Sequence, residues 1–483
     1  MATYINATGV QFVNSTFGNF PNITSIDLRH TPYKNDSMYR AFNKCTNLTE
    51  VTNINQNVTN MAYTFYNCYN LTDISSIPNH VTNMQASFRY CNNLVNIPTI
   101  PNGVTDMKMC FDWCKNLTNA PEIPNSVTDI SEAFKSTNIN EPPVLPNNIP
   151  SLYATFDACR NLVNAPVIPN SVTNMYSTFR LCNNMSEPPV IPNSVTTMVD
   201  TFNYCYRLLN APDIPDSVTN MKGTFYYCNN IVNMPNISNY VIDMDYAFYY
   251  CKNMVIDAPV IPNSVINMDW TFSGCSNLVN APIIQNGVTT MKGTFGGCTN
   301  LIDAPIIPNS VENMNSTFFG CSKLVNVSAI PNSVTNMSGT FLGCSNLINA
   351  PIIPNSVLDL SGTFNGCMNL IDAPEISNSV TNMTNTFQVC MNLVNASTIP
   401  DSVTEIYMTF YGCFNLTGDI NILSENITNA IGCFDGTYLD KNVYIPFTYE
   451  NGVNTLTYNS FINAGYSTTS RKDGVLLKDI NNL

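Results

Sequence analysis

Thiols and imidazoles are the side chains here with conspicuous chemistry, and their spacing decides whether they perform any. The chain carries 18 cysteines and two histidines in 483 residues. Sixteen of the cysteines, from Cys45 and Cys68 through Cys228, Cys275 and Cys344 to Cys413, stand three residues after a phenylalanine. Paired thiols could close disulfides, and thiolates with imidazoles could hold zinc. Zinc would need CxxC pairs or histidines beside them, and neither occurs. His30 and His80 stand at unrelated places. One cysteine per period, always at the same place, is expected to be a small buried apolar side chain. Thiols stacked in this way point in parallel rather than toward one another, so they are expected to stay reduced. Cys110 and Cys433 each directly precede a phenylalanine and read as local packing substitutions. No glycine-rich phosphate loop, GxSxG elbow or HExxH is present. Acidic residues are sparse and mostly replace asparagine in a repeated position, which argues against a sugar-cleaving carboxylate pair. The chemistry therefore reads as non-enzymatic, with no cofactor and no metal.

What positions these groups is a period. Phenylalanine returns every 23 residues from Phe42 to Phe434, through Phe225, Phe272, Phe318 and Phe341, with one spacing of 22 and two of 24. Such a period is the signature of a repeat solenoid, in which each unit buries its apolar side only by stacking on its neighbours. The copy around Phe341 shows how one repeat makes one coil. Val334 and Met337 bracket one short extended stretch, and Leu347 and Ile353 bracket another. Between them Met337, Phe341 and Cys344 are spaced by four and three, which predicts a helical turn. Pro351 and its equivalents, ten residues after their phenylalanines, limit the main strand to roughly three to five residues. Asparagines two after the cysteines (Asn47, Asn70, Asn93 and onward) form a ladder expected to satisfy turn backbones in their own coil and the next. A further asparagine column three residues on carries Asp73, Asp303 and Asp372 as replacements.

Residues 42–434 thus read as the repeat array, 1–41 as an amino-terminal cap with a degenerate first coil at Phe17, and 435–483 as a carboxy-terminal cap. The coil at Phe134 has Thr137 in place of cysteine and is one residue short, and the coil after Phe248 gains a residue at Val255–Ile256. Both are expected to bend the stack. The net charge is −14 and only 11% of residues are charged. That balance disfavours nucleic acid and anionic membranes as partners. No apolar run of membrane-spanning length occurs, so no membrane insertion is expected.

The pattern Ile-Pro-Asn-Ser-Val-Thr-Asn-Met-x-x-Thr-Phe-x-x-Cys-x-Asn-Leu, as at Ile261–Leu278 and Ile353–Leu370, resembles the BspA-type leucine-rich repeats. The resemblance covers 42–434. It implies a right-handed leucine-rich-repeat coil with short parallel β-strands, surface exposure and adhesion, and no shared catalytic residues. The segments 442–452, 458–466 and 472–479 are similar to the endings of repeat proteins encoded by phages of gut bacteria. This likeness implies a virion surface protein: a tail or fibre component that meets a host-surface glycan or protein, contacts other virion proteins, and takes any oligomeric state from virion symmetry. No export signal is visible from Met1, which favours the virion over a bacterial cell surface. The alternatives are a decoration or spacer protein of the particle and a bacterial surface adhesin.

Candidate binding residues are deviations from the columns. Tyr204, Tyr227 and Tyr250 stand two residues after their phenylalanines; Tyr246 and Trp270 stand two before theirs. Flanking a buried ring, these side chains are expected to face solvent and form an aromatic platform for sugar rings or a protein partner.

Overall fold

The computed structural model describes residues 3–6, 15–29, 36–255, 260–448 and 452–482; His30 and Ile256 lie outside them. The chain divides into two compact units, Met1–Tyr240 and Val241–Leu483. In the first, the rings of Phe17, Phe42 and their successors to Phe225 stack with centroids 5.4–5.8 Å apart. In the second, the rings from Phe248 to Phe434 repeat the same 5.4–5.8 Å. These phenylalanines from Phe42 on, with the Val, Met, Cys and Leu columns beside them, are almost completely buried. Phe17 lies within 2° of parallel to Phe42 and extends the ring column by one. The short coil at Phe134 leaves the column unbroken, with 5.8 Å to Phe156.

The expected helical turn is not helical. Thr340 N–H donates to Met337 O at 3.0 Å, Leu342 N–H to Gly339 O at 3.1 Å and Cys344 N–H to Phe341 O at 3.0 Å, giving three interlocked turns. The third residue of the first and last turn is left-handed, with φ of 61° at Gly339 and 73° at Gly343. That sign belongs to a type II turn and is excluded from a right-handed helix. Left-handed residues recur two before and two after nearly every phenylalanine, whatever the residue type. The alternation turns every second N–H toward the next coil. Gly339 donates to Ser361 O at 2.8 Å, Phe341 to Thr363 O at 2.9 Å and Gly343 to Asn365 O at 2.7 Å. Inter-coil hydrogen bonding therefore runs through the turn.

The strands are shorter than expected. In the first unit β1 (Thr3–Asn6), β2 (Ile23–Asp27), β3 (Glu50–Thr52) and β4 (Asp73–Ile74) form one parallel sheet in that order. In the second, β5 (Val260–Ile261) pairs with β6 (Ile283–Ile284), again in parallel. Elsewhere most coils contribute single bridging residues, as in Asn313↔Asn336↔Asp359 and Asn349↔Asp372. The proline two residues beyond the second of these places has no N–H to extend it.

Side chains do the remaining bonding. Thr340, fully buried, donates to Met314 O at 2.8 Å and Met337 O at 2.6 Å. Cys344 Sγ lies 3.1 Å from Phe318 O, and the equivalent thiols repeat this contact from coil to coil. The cysteines are thus donors as well as packing groups. The ladder asparagines differ from expectation in their partners. Asn70 donates to the amide oxygen of Asn47 at 3.3 Å and Asn93 to that of Asn70 at 3.2 Å, so these amides bond one another. The turn backbone is served instead by the asparagine five before phenylalanine, as when Asn336 Oδ1 accepts from Ser338 N at 2.9 Å.

The carboxy-terminal segment adds β7 (Ile420–Asn421), β8 (Lys441–Ile445), α1 (Leu456–Asn463) and β9 (Val475–Asp479), with the strands parallel in the order β7-β8-β9. Thr455 caps α1 by accepting from Tyr458 N. Phe461 of α1 stacks on Phe434 at 6.3 Å, taking the place of the next ring in the column. Tyr466 Oη accepts from Phe434 N at 2.8 Å and donates to Asp435 Oδ1 at 2.9 Å. No helix among the described residues is long and apolar enough to cross a membrane.

Candidate functional site

The thiols can be set aside as nucleophiles. All 18 are buried and none is joined in a disulfide. Burial pushes the thiols of Cys275, Cys321 and Cys413 up to about 12, which suppresses the thiolate that reacts or binds metal. Among the described residues no group of three metal-ligating side chains comes together.

The turn segment is where side chains leave the core. Its two left-handed positions accept glycine without strain, and many coils use it: Gly293, Gly339 and Gly362 before phenylalanine, and Gly297, Gly320 and Gly343 after. The candidate aromatics occupy these same positions. Tyr246 and Trp270 have φ of 55°, Tyr204 61°, Tyr227 59° and Tyr250 58°. A left-handed residue with a side chain costs roughly 1–2 kcal/mol relative to its relaxed conformation. The chain accepts this at ring after ring where neighbouring coils use glycine.

These rings do not stand free in solvent; they are half-buried. In the second unit Trp270 lies over Gly293, where an added Cβ would fall 2.4 Å from Trp270 Cε3. Tyr250 similarly covers Gly274. Trp270 and Tyr250 thus lean onto the backbone of the following coil. Tyr246 and Trp270 are 6.3 Å apart and within 9° of parallel, Phe319 meets Trp270 edge-on at 6.0 Å, and Tyr249 packs on both Tyr246 and Tyr250. In the first unit Tyr204 and Tyr227 stack at 5.0 Å, with Tyr206 and Tyr226 against them. The structure thus gathers Tyr246, Tyr250 and Trp270 in the second unit and Tyr204 and Tyr227 in the first.

Another set in the first unit was not singled out from the sequence. Tyr63, Tyr66, Tyr90 and Trp113 form a run of ring contacts at 5.7–5.9 Å on the turn segments of consecutive coils. Arg89 lies 5.2 Å from the centre of Tyr90, and Lys115 Nζ lies 4.8 Å from that of Trp113. These residues fall at several places relative to phenylalanine, so no single column reveals them.

Asp112 sits beneath this set. Its side chain is fully buried, and Arg89 Nε stands 2.8 Å away without completing a hydrogen bond to either carboxylate oxygen. Burial outweighs the nearby Arg89 and Lys135 and pushes the carboxyl up to about 6. The folded protein therefore holds a proton that the unfolded chain has released between about pH 4 and 6. Stability is expected to fall as pH rises through that window, by roughly 2–3 kcal/mol. Urea unfolding across it should show the slope in the wild type and lose it in Asp112→Asn.

Residues 10–140, 107–232, 242–371 and 340–467 match the family described as BspA type leucine rich repeat region, six copies. No curated protein matches the chain. Among solved structures, a leucine-rich repeat protein from Bacteroides ovatus ATCC 8483 is 20% identical, with 95% of this chain and 88% of that chain covered and a TM-score of 0.40. A leucine rich cell surface protein from Faecalibacterium prausnitzii A2-165 is 21% identical, with 82% of each chain covered and a TM-score of 0.24. YopM from Yersinia enterocolitica WA-314 is 14% identical, with 83% of this chain and 90% of that chain covered and a TM-score of 0.31.

Proposed function

Because the chain belongs to the BspA-type leucine-rich-repeat family, we propose that it is a non-enzymatic binding protein whose aromatic turn segments engage a glycan or protein on a host surface. The observation that carries this reading is the placement of Tyr246, Tyr250 and Trp270 at left-handed positions that neighbouring coils give to glycine. Half-buried rings held in place by their neighbours offer contact area at little conformational cost. The bearer of this surface is proposed to be a phage particle, as a tail or fibre component held by other virion proteins, on the likeness of 442–479 to the endings of phage-encoded repeat proteins.

Binding to a glycan array, with Trp270→Ala and Tyr246→Ala beside the wild type, tests the surface. Loss of at least about tenfold in affinity, roughly 1.4 kcal/mol, is expected in each variant. Unchanged binding in both would remove the aromatic platform. A wild type that binds neither glycans nor host-cell proteins would point to a decoration or spacer instead. Genomic neighbours separate the bearers: portal, capsid and baseplate genes for a particle, their absence for a bacterial surface.

A further inference from the structure

We propose that a notch in the turn face of the first unit binds an acidic sugar ring of the uronic-acid class. It does not rest on Trp270 or Tyr246, so either proposal can fail alone. The position two after phenylalanine carries Tyr90 and then Trp113, and later Leu181, Tyr204 and Tyr227. Between Trp113 and Leu181 it carries only Ser136 and Ala158. Two small residues where neighbours are large open a gap two coils wide, roughly 10 Å at strand spacing. The resulting cavity is about 450 Å³ and has Trp113 and Leu181 at its ends. That volume lies in the range of small-ligand sites.

The charge of this notch opposes that of the chain. Lys115, Lys135, Arg160 and Arg180 line it against a single lining carboxylate, Asp157, in a protein of net charge −14. Asp157 is buried and already engaged, by Arg180 Nε at 3.0 Å and by Lys135 Nζ at 3.4 Å. Lys135 is further held by Glu132 at 3.2 Å. These pairs fix the wall. Lys115 and Arg160 form no ion pair among the described residues, and Lys115 Nζ stands over the Trp113 ring. An exposed indole beside two cations without a carboxylate partner matches a flat ring bearing a carboxylate: the ring stacks, and the carboxylate accepts charge-assisted hydrogen bonds. The notch is too short for a polyanionic nucleic acid, which the net charge also repels.

Titration calorimetry with trigalacturonate, and with neutral galactotriose as its counterpart, tests this on the full chain. Binding is expected for the acidic trimer only, weakening as salt is raised. Lys115→Met and Arg160→Gln should each weaken it about tenfold or more. Ala158→Tyr fills the gap without altering charge, at a backbone geometry that Tyr204 already adopts, and should abolish it. Equal affinity for the neutral trimer, full affinity in Ala158→Tyr or in the two charge variants, or no binding of the acidic trimer would each overturn the assignment.

Discussion

Replacing Phe341 with alanine is expected to destabilise the second unit by about 3–5 kcal/mol, the range for emptying a fully buried aromatic site. Phe341 is completely buried and stacks on Phe318 at 5.8 Å and Phe364 at 5.6 Å, so truncation strips contacts from two interfaces at once. Its backbone cannot collapse to fill the space, because Phe341 N–H is held by Thr363 O and Phe341 O accepts from Cys344 N. In a repeat protein stability is approximately a sum of units and nearest-neighbour interfaces. The defect should therefore also loosen cooperativity, seen as a lower urea midpoint with a shallower transition. Phe341→Leu, which refills most of the volume, should lose less. A change below about 0.5 kcal/mol in Phe341→Ala, the size of an ordinary surface substitution, would mean that the ring is not in the core.

The second large effect belongs to Gly293→Ala. Two costs combine there. The backbone is left-handed at φ 61°, and the new Cβ would stand 2.4 Å from Trp270 Cε3. Gly339→Ala isolates the first cost, because its φ is also 61° and its added Cβ meets nothing closer than Ser316 Oγ at 3.2 Å. Gly339→Ala is expected to lose about 1 kcal/mol, and Gly293→Ala about 2–3 kcal/mol. Trp270 should also be lifted from the coil, and in a Trp113→Phe background its emission should shift to the red. Equal losses in the two variants with unshifted emission would show that the indole does not lie over Gly293.

These two residues mark what could be read in advance and what could not. Phe341 belongs to a column with one residue type, so its burial and period were plain from spacing alone. The tail adds a helix, Leu456–Asn463, with Thr455 as its cap and Phe461 buried beneath it. Gly293 belongs to a position shared by glycine, tyrosine, tryptophan, serine and others. Its left-handed backbone is set by inter-coil hydrogen bonds, and no residue type announces it. Spacings of four and three around Phe341 therefore read as helix when the chain makes three turns. Strands were overestimated for a related reason. Once every second turn amide bonds the next coil, little extended ladder is needed, and single bridges such as Asn336↔Asp359 are enough. The cationic notch stayed hidden because Lys115, Lys135, Arg160 and Arg180 meet only when four coils are stacked.

Thiol labelling is the most direct test of the stacked-coil arrangement on which both surfaces depend. All 18 cysteines are buried and outside any disulfide. Native protein mixed with an aromatic disulfide reagent should release almost no thiolate, and protein unfolded without reductant should release 18 equivalents. Rapid labelling of several thiols in the native state, or a shortfall in the unfolded one from disulfides, would contradict coils closed around a column of phenylalanine rings and reduced sulfur.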